Sequence, residues 1–395
     1  MFSAESKNYR VLHIWDTRVD SGLNLDDSLK STTLEQSIFS RVLVRRNTES
    51  ISKQKFLYEI KQIESPFPKN VFLRYRSQII FKRNVVKEIA VFQPDLIFFH
   101  FGQCGARFVK KIERLKTPFV VALYGHDLSV ALESKRWRRK YSVFKETYGG
   151  FLVLANDPRR RLLSMGVVES HISLYTFPIN IEPFLRLTHR SQDSIYRITI
   201  PGRFVEKKGH KYLFEAVSLL KRRRFKVHLT ILGYGERGIL LEYLGALDIL
   251  EQISWVDTGA ATINGDFNEI YAKTLSQTDL VVLPCTTSQD GDNEAGPALV
   301  LCLAQAAGVP VITTPFEGHE VSIVHGQTGL ITKENDSLDL ANQIEWCIQH
   351  PTEIAEIGQN AKTLIQNVFS FENTVEKLFL VLKGEINRQK ATLSK

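Results

Sequence analysis

The chain has 395 residues and a mass of 45.1 kDa, with 43% hydrophobic and 24% charged residues. These values exclude a disordered chain or a fibre, and the length predicts two or three domains, of which we take two as the working number. The net charge of +8 is uneven, because residues 1–190 hold 32 of the 51 Lys and Arg but only 18 of the 43 Asp and Glu. The first half therefore carries +14 and the remainder −6, which predicts an anionic partner for the first half.

Three anionic partners fit this basic first half: a lipid surface, a phosphate-bearing acceptor or nucleic acid. Two local runs carry much of the charge, residues 135–140 with five basic side chains and residues 159–161 with three. No nucleic-acid reader motif accompanies them, so no nucleic-acid partner is expected. We expect an anionic membrane surface, bound through the N-terminal domain.

The cysteines, the first residues and the apolar runs favour a cytoplasmic protein. The four cysteines are widely separated, without a Cys-x-x-Cys pair, so neither a zinc site nor a disulfide framework is indicated. The first ten residues lack the order of a signal peptide and lead into the apolar run VLHIW. The most apolar stretch, residues 298–313, is shorter than the ~20 residues that a membrane span needs. We expect a cytoplasmic location, peripheral at the inner face of the plasma membrane.

Short apolar runs bounded by polar or Gly and Pro turns recur along the chain, and most precede a helix-compatible stretch. In the first half the predicted strands cover residues 11–15, 42–45, 96–100, 119–124 and 150–155. In the second half they cover residues 196–200, 226–232, 253–256, 280–284, 309–313 and 329–332. Repeated strand-then-helix units predict an α/β protein with two Rossmann-like, doubly wound parallel sheets.

The polar segment LTHRSQDS separates the two series of strands, and we place a domain hinge there. The expected domains are residues 1–188, residues 189–370 and a C-terminal helix over 371–395 that packs back towards the first domain. Two such domains face a cleft. In doubly wound sheets ligands bind beyond the carboxyl ends of the strands, so the strand-to-helix loops are the places to search.

A formal dinucleotide fingerprint, Gly233-Tyr234-Gly235-Glu236-Arg237-Gly238, follows the strand KVHLTIL, and Asp257 lies downstream at a strand end. This pattern favours an NAD-dependent dehydrogenase. However, such a fingerprint opens its domain, whereas this one follows a complete strand and helix. The dehydrogenase is therefore an alternative that predicts NAD binding and no affinity for UDP.

The loop after strand YRITI is more informative, because Gly202 and Arg203 are followed by Lys208 before a helix begins. An Arg fork and a Lys point charge beside a helix N-terminus suit a diphosphate. The alternative is a pair of solvated surface cations.

An acidic, glycine-bearing loop, DGDNEAGPALVL, separates strand LVVLP from an apolar helix. Glu294 would lie at the helix N-terminus, where N–H groups favour phosphate and a carboxylate can accept hydrogen bonds from sugar hydroxyls. Asp290 and Asp292 could hold a metal, although two carboxylates in a polar loop are usually turn residues.

Read together, several segments resemble the group 1 glycosyltransferases, family four of the retaining nucleotide-sugar enzymes. In the second half these segments are RFVEKKG, LTILGYGE, DLVVLPC, NEAGPALV, AQAAGVPVITT and HGQTGLIT. In the first half PDLIFFHFGQCGA and TPFVVALYGHDLS are similar to the family's H-x-H-F-G and H-G-x-D segments.

The resemblance implies a GT-B fold, in which the C-terminal domain holds the nucleotide-sugar and the N-terminal domain holds the acceptor. It implies no cofactor and no metal, because basic side chains neutralise the leaving diphosphate. Arg203 and Lys208 would stabilise that charge, and Glu294 would contact the donor sugar. Further donor contacts are expected at Gly202, Gly233, Val256, Ala295, Gly296, Pro297 and Ala298.

The chain departs from the family pattern at the second glutamate, which typically holds the ribose. Counting from Glu294 gives Cys302, and counting back from AAGVP gives Leu303. Neither side chain can bind two hydroxyls. This departure favours, as an alternative, a catalytically weakened homologue that acts as a binding or scaffold protein.

The N-terminal domain departs from the pattern where Tyr124 replaces the family histidine and His126 follows two residues later. Because a two-residue step along an extended segment keeps the same face, His126 is expected near the reacting carbon. The acceptor side is expected to include Ser21, Gly22, His100 and Asp127.

We therefore predict a retaining glycosyltransferase that moves a hexose from a UDP-sugar, UDP-glucose above all, to a lipid-linked or polysaccharide-precursor acceptor. No enzyme nucleophile is evident, so the resemblance implies attack on the same face as the leaving group.

Overall fold

The computed structural model describes residues 9–15, 38–46, 59–64, 71–125, 127–177, 179–188, 194–260, 266–294 and 296–394. The chain divides into two compact units, Met1–Pro178 together with Phe371–Lys395, and Ile179–Ser370. Each unit is built on one parallel sheet. No helix in the described ranges is long and apolar enough to cross a membrane.

The sheet of the first unit has seven strands in the order β3-β2-β1-β4-β5-β6-β7. The strands are β1 (Tyr9–Trp15), β2 (Ile38–Arg46), β3 (Glu59–Glu64), β4 (Leu96–His100), β5 (Phe119–Leu123), β6 (Gly150–Val153) and β7 (Ile172–Leu174). The helices are α1 (Val71–Phe92), α2 (Gly102–Arg114), α3 (Val130–Glu133), α4 (Lys135–Tyr141) and α5 (Asn156–Ser164). Every residue of β4, β5 and β6 is buried, as expected for a parallel sheet covered on both faces.

The sheet of the second unit has six strands in the order β10-β9-β8-β11-β12-β13. The strands are β8 (Tyr196–Pro201), β9 (Val227–Gly233), β10 (Ile253–Asp257), β11 (Leu280–Leu283), β12 (Val311–Thr313) and β13 (Leu330–Ile331). The helices are α6 (Glu182–Leu185), α7 (His210–Arg222), α8 (Gly238–Ala246), α9 (Phe267–Leu275), α10 (Leu299–Ala306), α11 (Ser337–Gln349) and α12 (Pro351–Phe369).

All eleven predicted strands are present, and the prediction of two doubly wound parallel sheets is confirmed. The sequence analysis missed β3 and β7, the two outer strands of the first sheet. Strand β3 reads EIKQIE, with only two apolar residues, and β7 has only three residues. Outer strands have one neighbour and need less apolar sequence, so their pattern is weaker.

The first unit ends at residue 178, earlier than the expected residue 188. The reason is that α6 belongs to the second unit, where the ring of Phe184 lies 6.0 Å from that of Tyr271 on α9. The chain returns to the first unit with α13 (Phe371–Leu393). There the Gln389 amide accepts from the Phe119 N–H at 2.8 Å and donates to the Phe119 carbonyl at 2.9 Å.

Candidate active site

The order of strands reverses next to β8 in the second sheet, so the loops after β8 and β11 are neighbours at this switch point. The loop after β8 needs Gly209 at its end, where φ is +67°. A Cβ atom there would lie 1.8 Å from the Pro284 carbonyl oxygen at the end of β11. Only glycine permits this close approach of the two backbones.

An ion pair joins the two loops. Lys208 Nζ lies 2.6 Å from Glu294 Oε2, and the two side chains are only 12% and 17% exposed. Burial is the largest influence on Lys208 and opposes its charged form, but the charge and hydrogen bond of Glu294, together with Cys285, leave the pKa of Lys208 raised above its ordinary value. Burial likewise opposes ionisation of Glu294, but Lys208 and Lys207 lower the pKa of that carboxyl. Both groups are therefore charged at neutral pH.

A second pair, which the sequence analysis missed, runs beside the first. Lys207 Nζ lies 3.0 Å from Asp292 Oδ2 and donates to the Asn293 carbonyl at 3.2 Å. The Lys207 carbonyl accepts from the Thr286 N–H at 3.0 Å. The β8 and β11 loops are thus held together by side chains and by backbone.

Arg203 differs from the two lysines because its side chain is exposed. Within the described part of the chain, no hydrogen bond or ion pair of its side chain is found. The Lys208 stem packs against Gly202, where a Cβ atom would meet the Lys208 side chain at 3.4 Å. Arg203 and Lys208 therefore offer two cations at one strand end, and Arg203 is available to an anion.

The expected donor residues lie along the same edge of the sheet. Gly202 N–H donates to the Leu232 carbonyl at 2.8 Å, and a Cβ atom on Gly233 would lie 1.8 Å from the Gly202 carbonyl oxygen. Val256 pairs with Leu232 on the next strand. The structure therefore brings Gly202, Gly233 and Val256 together at the carboxyl ends of β8, β9 and β10.

The expected position of Glu294 at a helix N-terminus is wrong, because α10 begins only at Leu299. The helix is preceded by a buried segment, Gly296, Pro297 and Ala298, and Ala295 lies outside the described residues. A Cβ atom on Gly318 would lie 2.6 Å from Gly296 Cα, so this buried segment packs tightly against the chain after β12.

The two candidates for the second glutamate are both enclosed. Cys302 is fully buried and Leu303 is 5% exposed. Burial raises the pKa of the Cys302 thiol to about 12. Helix α10 therefore supplies no carboxylate for a ribose at either position.

The first two glycines of the fingerprint, Gly233 and Gly235, serve packing, whereas a Cβ on Gly238 would meet nothing within 4 Å. Gly233 ends β9, which is not the strand at the switch point, and it is the close approach to Gly202 that requires a glycine there. Arg237 Nη2 lies 2.5 Å from Asp257 Oδ2, so the acidic residue of the fingerprint pairs with an arginine. The Arg237 guanidinium also lies 5.1 Å from the Trp255 ring centre. Sequence analysis did not foresee this pair.

Asp290 and Asp292, the candidate metal residues, both have partners in the protein. Asp290 Oδ1 accepts from the Ser288 hydroxyl at 2.5 Å and from the Asp292 N–H at 3.2 Å, so this carboxylate closes a turn. The Asp292 carboxylate pairs with Lys207. Among the residues that the structure describes, no group of three or more His, Cys, Asp or Glu is placed to hold a metal ion.

In the first unit, Asp127 clamps the loops after β4 and β5. Its side chain is fully buried; Oδ1 accepts from the Gly102 N–H at 2.8 Å, and Oδ2 accepts from the Tyr124 N–H at 2.9 Å. We expected Asp127 to lie towards the acceptor. The structure places it beneath the loops, where it fixes their backbones.

His100 is 1% exposed and lies in a buried hydrogen-bonded row. Its Nε2 is 3.1 Å from His13 Nδ1, and its Nδ1 is 2.9 Å from the Tyr124 hydroxyl. Burial lowers the pKa of His13 to about 3, and burial together with His13 lowers that of His100 well below its ordinary value. His100 is therefore neutral and supports the Tyr124 loop from inside.

His126, Ser21 and Gly22 lie outside the described residues. The expected position of His126 near the reacting carbon therefore stays a prediction. Gly125 has φ of +99°, and its carbonyl accepts from the Leu128 N–H at 2.8 Å in a turn.

Comparison with known proteins agrees with this fold. The model of the family "Glycosyl transferases group 1" matches residues 196–350. The amylovoran biosynthesis glycosyltransferase AmsK of Erwinia amylovora is 24% identical over 294 residues, covering 74% of this chain and 70% of that protein. The capsular polysaccharide biosynthesis glycosyltransferase CapM of Staphylococcus aureus is 26% identical over 230 residues, covering 57% and 55%.

A solved structure gives the same fold over nearly the whole chain. The crystal structure of HepE from Anabaena in complex with UDP and glucose superposes with a TM-score of 0.76 at 15% identity, covering 95% of this chain and 100% of that one. The chain therefore has the GT-B fold. Residues 196–350 form a group 1 glycosyltransferase domain, and the protein is a glycosyltransferase rather than a dehydrogenase.

Proposed function

We propose that this glycosyltransferase moves a hexose, glucose from UDP-glucose in the first instance, to a lipid-linked or polysaccharide-precursor acceptor with retention of configuration. The observation that carries the proposal is the group formed by Arg203, Lys208 and Glu294 at the switch point of the second sheet. The complex of HepE with UDP and glucose supports the donor, and the likeness to CapM, a capsular polysaccharide biosynthesis glycosyltransferase, supports the acceptor class.

The chemistry follows from the charges. As the bond between sugar carbon 1 and the diphosphate oxygen breaks, negative charge develops on the leaving UDP, and Arg203 and Lys208 stabilise it. Glu294, held as a carboxylate by Lys208, accepts hydrogen bonds from sugar hydroxyls. The acceptor oxygen attacks carbon 1 on the same face, and its proton passes to the leaving phosphate. In this scheme two side-chain cations supply the charge that a metal would bring.

The experiment that tests the proposal is calorimetric titration of UDP, UDP-glucose, GDP-mannose and NAD into the protein, followed by an assay of UDP release. We expect UDP to bind and UDP-glucose to be turned over when an acceptor extract is added. Binding of NAD without binding of UDP would overturn the proposal. Turnover of GDP-mannose alone would show that the donor is GDP-mannose rather than UDP-glucose.

A second candidate, a binding or scaffold protein with a weakened site, is favoured by one observation. Cys302 and Leu303 are buried apolar side chains where the family pattern has a ribose-binding glutamate. This candidate predicts that UDP binds but that UDP-glucose is neither transferred nor hydrolysed.

The membrane is the proposed partner of the first unit, in keeping with the +14 charge of residues 1–190. Each basic residue near an anionic bilayer contributes about 1 kcal/mol to binding. We propose a peripheral position at the inner face of the plasma membrane. Flotation with liposomes that depends on neither anionic lipid nor salt would contradict this part of the proposal.

A further inference from the structure

A basic cavity lies in the first unit, between α2 and the segment that begins with α4. It has a volume of about 520 Å³, and four of its lining side chains are cationic, against one carboxylate, that of Glu146. The cations are Lys110 of α2 and Arg136, Arg139 and Lys140 of α4. Pockets for small molecules and headgroups measure about 300–1,000 Å³, so this one has room for more than a single bound ion.

The local sequence explains why these cations share one side. Positions 136, 139 and 140 are three and four residues apart, so they lie on one face of the two-turn helix α4. The adjacent face is anchored by Tyr141, which is fully buried and whose ring lies 4.9 Å from that of Phe144. Because Tyr141 fixes the rotation of α4, the cationic face is fixed too.

Three of the four cations have no carboxylate beside them in the part of the chain that the structure describes. Within the described ranges, no carboxylate lies within 4.0 Å of the charged atoms of Lys110, Arg136 or Arg139. By contrast, two of the three arginines of the other basic run, Arg159 and Arg160, pair with Glu169 and Asp157. Concentrated, uncompensated positive charge around a cavity favours an anionic ligand with several oxygens.

The cavity is not part of the site described above. It begins at Ala106, four residues after the start of α2, and extends to Lys110. At 1.5 Å per residue these positions lie about 6 and 12 Å along the helix from the Gly102 loop. A ligand here would leave the strand-end loops free.

One further feature points to a lipid. Trp137 on α4 lies beneath two cations, with Arg107 Cζ 5.2 Å and Lys140 Nζ 4.7 Å from its ring centre. Tryptophan beside Lys and Arg is the combination found at the level of lipid headgroups.

We propose that this cavity binds the phosphate or diphosphate group of a lipid. The inference deepens the membrane part of the proposed function and does not depend on the donor chemistry. The phosphate belongs either to a bilayer phospholipid or to a diphosphate-linked lipid acceptor. Both sources present the same oxygens to Lys110, Arg136 and Arg139.

The test compares R136Q/R139Q with R83Q/K87Q. The control replaces two exposed cations four residues apart on α1, in the same unit, and causes the same change of net charge. Inorganic pyrophosphate is titrated into each protein in the presence of saturating UDP, which occupies the donor site. We expect R136Q/R139Q to bind pyrophosphate about 30-fold more weakly than the wild type and R83Q/K87Q to bind it unchanged. Equal effects in the two variants, or no pyrophosphate binding by the wild type, would overturn the proposal.

Vesicles then identify the source. Sedimentation at 0.15 M salt uses phosphatidylcholine vesicles containing either 20% phosphatidylglycerol or 1% undecaprenyl diphosphate. Binding to the first kind that R136Q/R139Q loses and R83Q/K87Q keeps assigns the cavity to bilayer phospholipid, and the same pattern with the second kind assigns it to the lipid acceptor. Loss in neither kind overturns the lipid assignment. UDP binding, measured in all three proteins, reports separately on the donor site.

Discussion

Lys208 has a compact ammonium group at the end of a stem that packs on Gly202, so its charge is fixed in place before any ligand arrives. Its partner Glu294 is equally enclosed, and each keeps the other ionised. A buried lysine without that carboxylate would tend to lose its proton. The ion pair therefore holds a positive charge in a fixed place at the switch point of the sheet.

The first prediction concerns this charge. Replacing Lys208 with Ala should lower kcat/KM for UDP-sugar turnover by about 10² to 10³, the size typical of losing a group that stabilises developing charge. Steady-state assays of UDP release measure this change in kcat/KM. Lys226→Ala, which removes an exposed cation of the same unit, is the control and should leave turnover unchanged. Turnover of Lys208→Ala close to that of the wild type would rule out this role.

His13 and His100 make the stability of the chain depend on pH. Both have pKa values lowered from 6.5 in the folded protein, that of His13 to about 3, whereas in the unfolded chain they titrate near 6.5. Below pH 6.5 the unfolded chain therefore binds protons that the folded chain does not. The contribution of the two neutral histidines to the free energy of unfolding is fully present above pH 6.5. It falls as pH decreases, by up to about 1.4 kcal/mol per pH unit for each histidine.

The measurement is urea unfolding between pH 7 and pH 5 for the wild type and for His13→Gln. In the variant, the slope of the unfolding free energy against pH should be smaller by the contribution of about one proton, whatever the stability of the variant at pH 7. An unchanged slope would show that His13 does not remain neutral in the folded protein.

Asp127 shows what residue-level reasoning missed. The sequence marks it only as a polar residue shortly after a buried strand. Its two hydrogen bonds, to Gly102 and Tyr124, exist because β4 and β5 are neighbours, and the partners are 25 and 3 residues away in sequence. A carboxylate that accepts two buried N–H groups is a structural clamp, and only its partners reveal this.

At the scale of elements, the loops after β8 and β11 approach so closely that one glycine decides whether they fit. Gly209→Ala should cost at least about 2 kcal/mol, because φ is +67° and the new Cβ would overlap the Pro284 carbonyl. Thermal unfolding measures the loss. Gly238→Ala is the matched control in the same unit, since a Cβ there meets nothing within 4 Å. Equal melting temperatures for the two variants would contradict the prediction.

The strands were predictable where they are central and buried, and less so at the edge. LIFFH and FVVAL are uninterrupted apolar runs because helices cover both faces of β4 and β5. Strand β3, with a charge or amide at four of six positions, is held by one neighbour, β2. Its pairing, rather than its own pattern, makes it a strand.

At the scale of the whole molecule, the chain leaves the first unit at residue 178 and re-enters it at residue 371. Helix α13 is tied to the sheet by Gln389, which is fully buried and bonded to both backbone groups of Phe119. Helix α13 therefore stabilises the fold of the first unit.

Gln389→Leu should destabilise the first unit by about 2–5 kcal/mol, because it leaves a buried N–H and a buried carbonyl without partners. Scanning calorimetry should show a lowered transition for that unit and an unchanged one for the second. Lys390→Ala, which removes a partly exposed ion pair with Asp95, is the comparison and should cost less than about 1 kcal/mol. Equal costs would contradict the assigned role of Gln389.

The sequence by itself determined the class of fold and the repeated strand and helix units, and it marked Arg203, Lys208 and Glu294 as the cations and carboxylate of a candidate site. These features are local: an apolar run, a glycine and a charge at a strand end are each legible within a dozen residues. Only the tertiary structure decided that Lys208 pairs with Glu294, that Asp127 lies beneath its loops, that Cys302 and Leu303 are enclosed, and that four cations surround one cavity. Those facts depend on which segments meet in space, and contacts between residues distant in the chain have no signature in either segment alone.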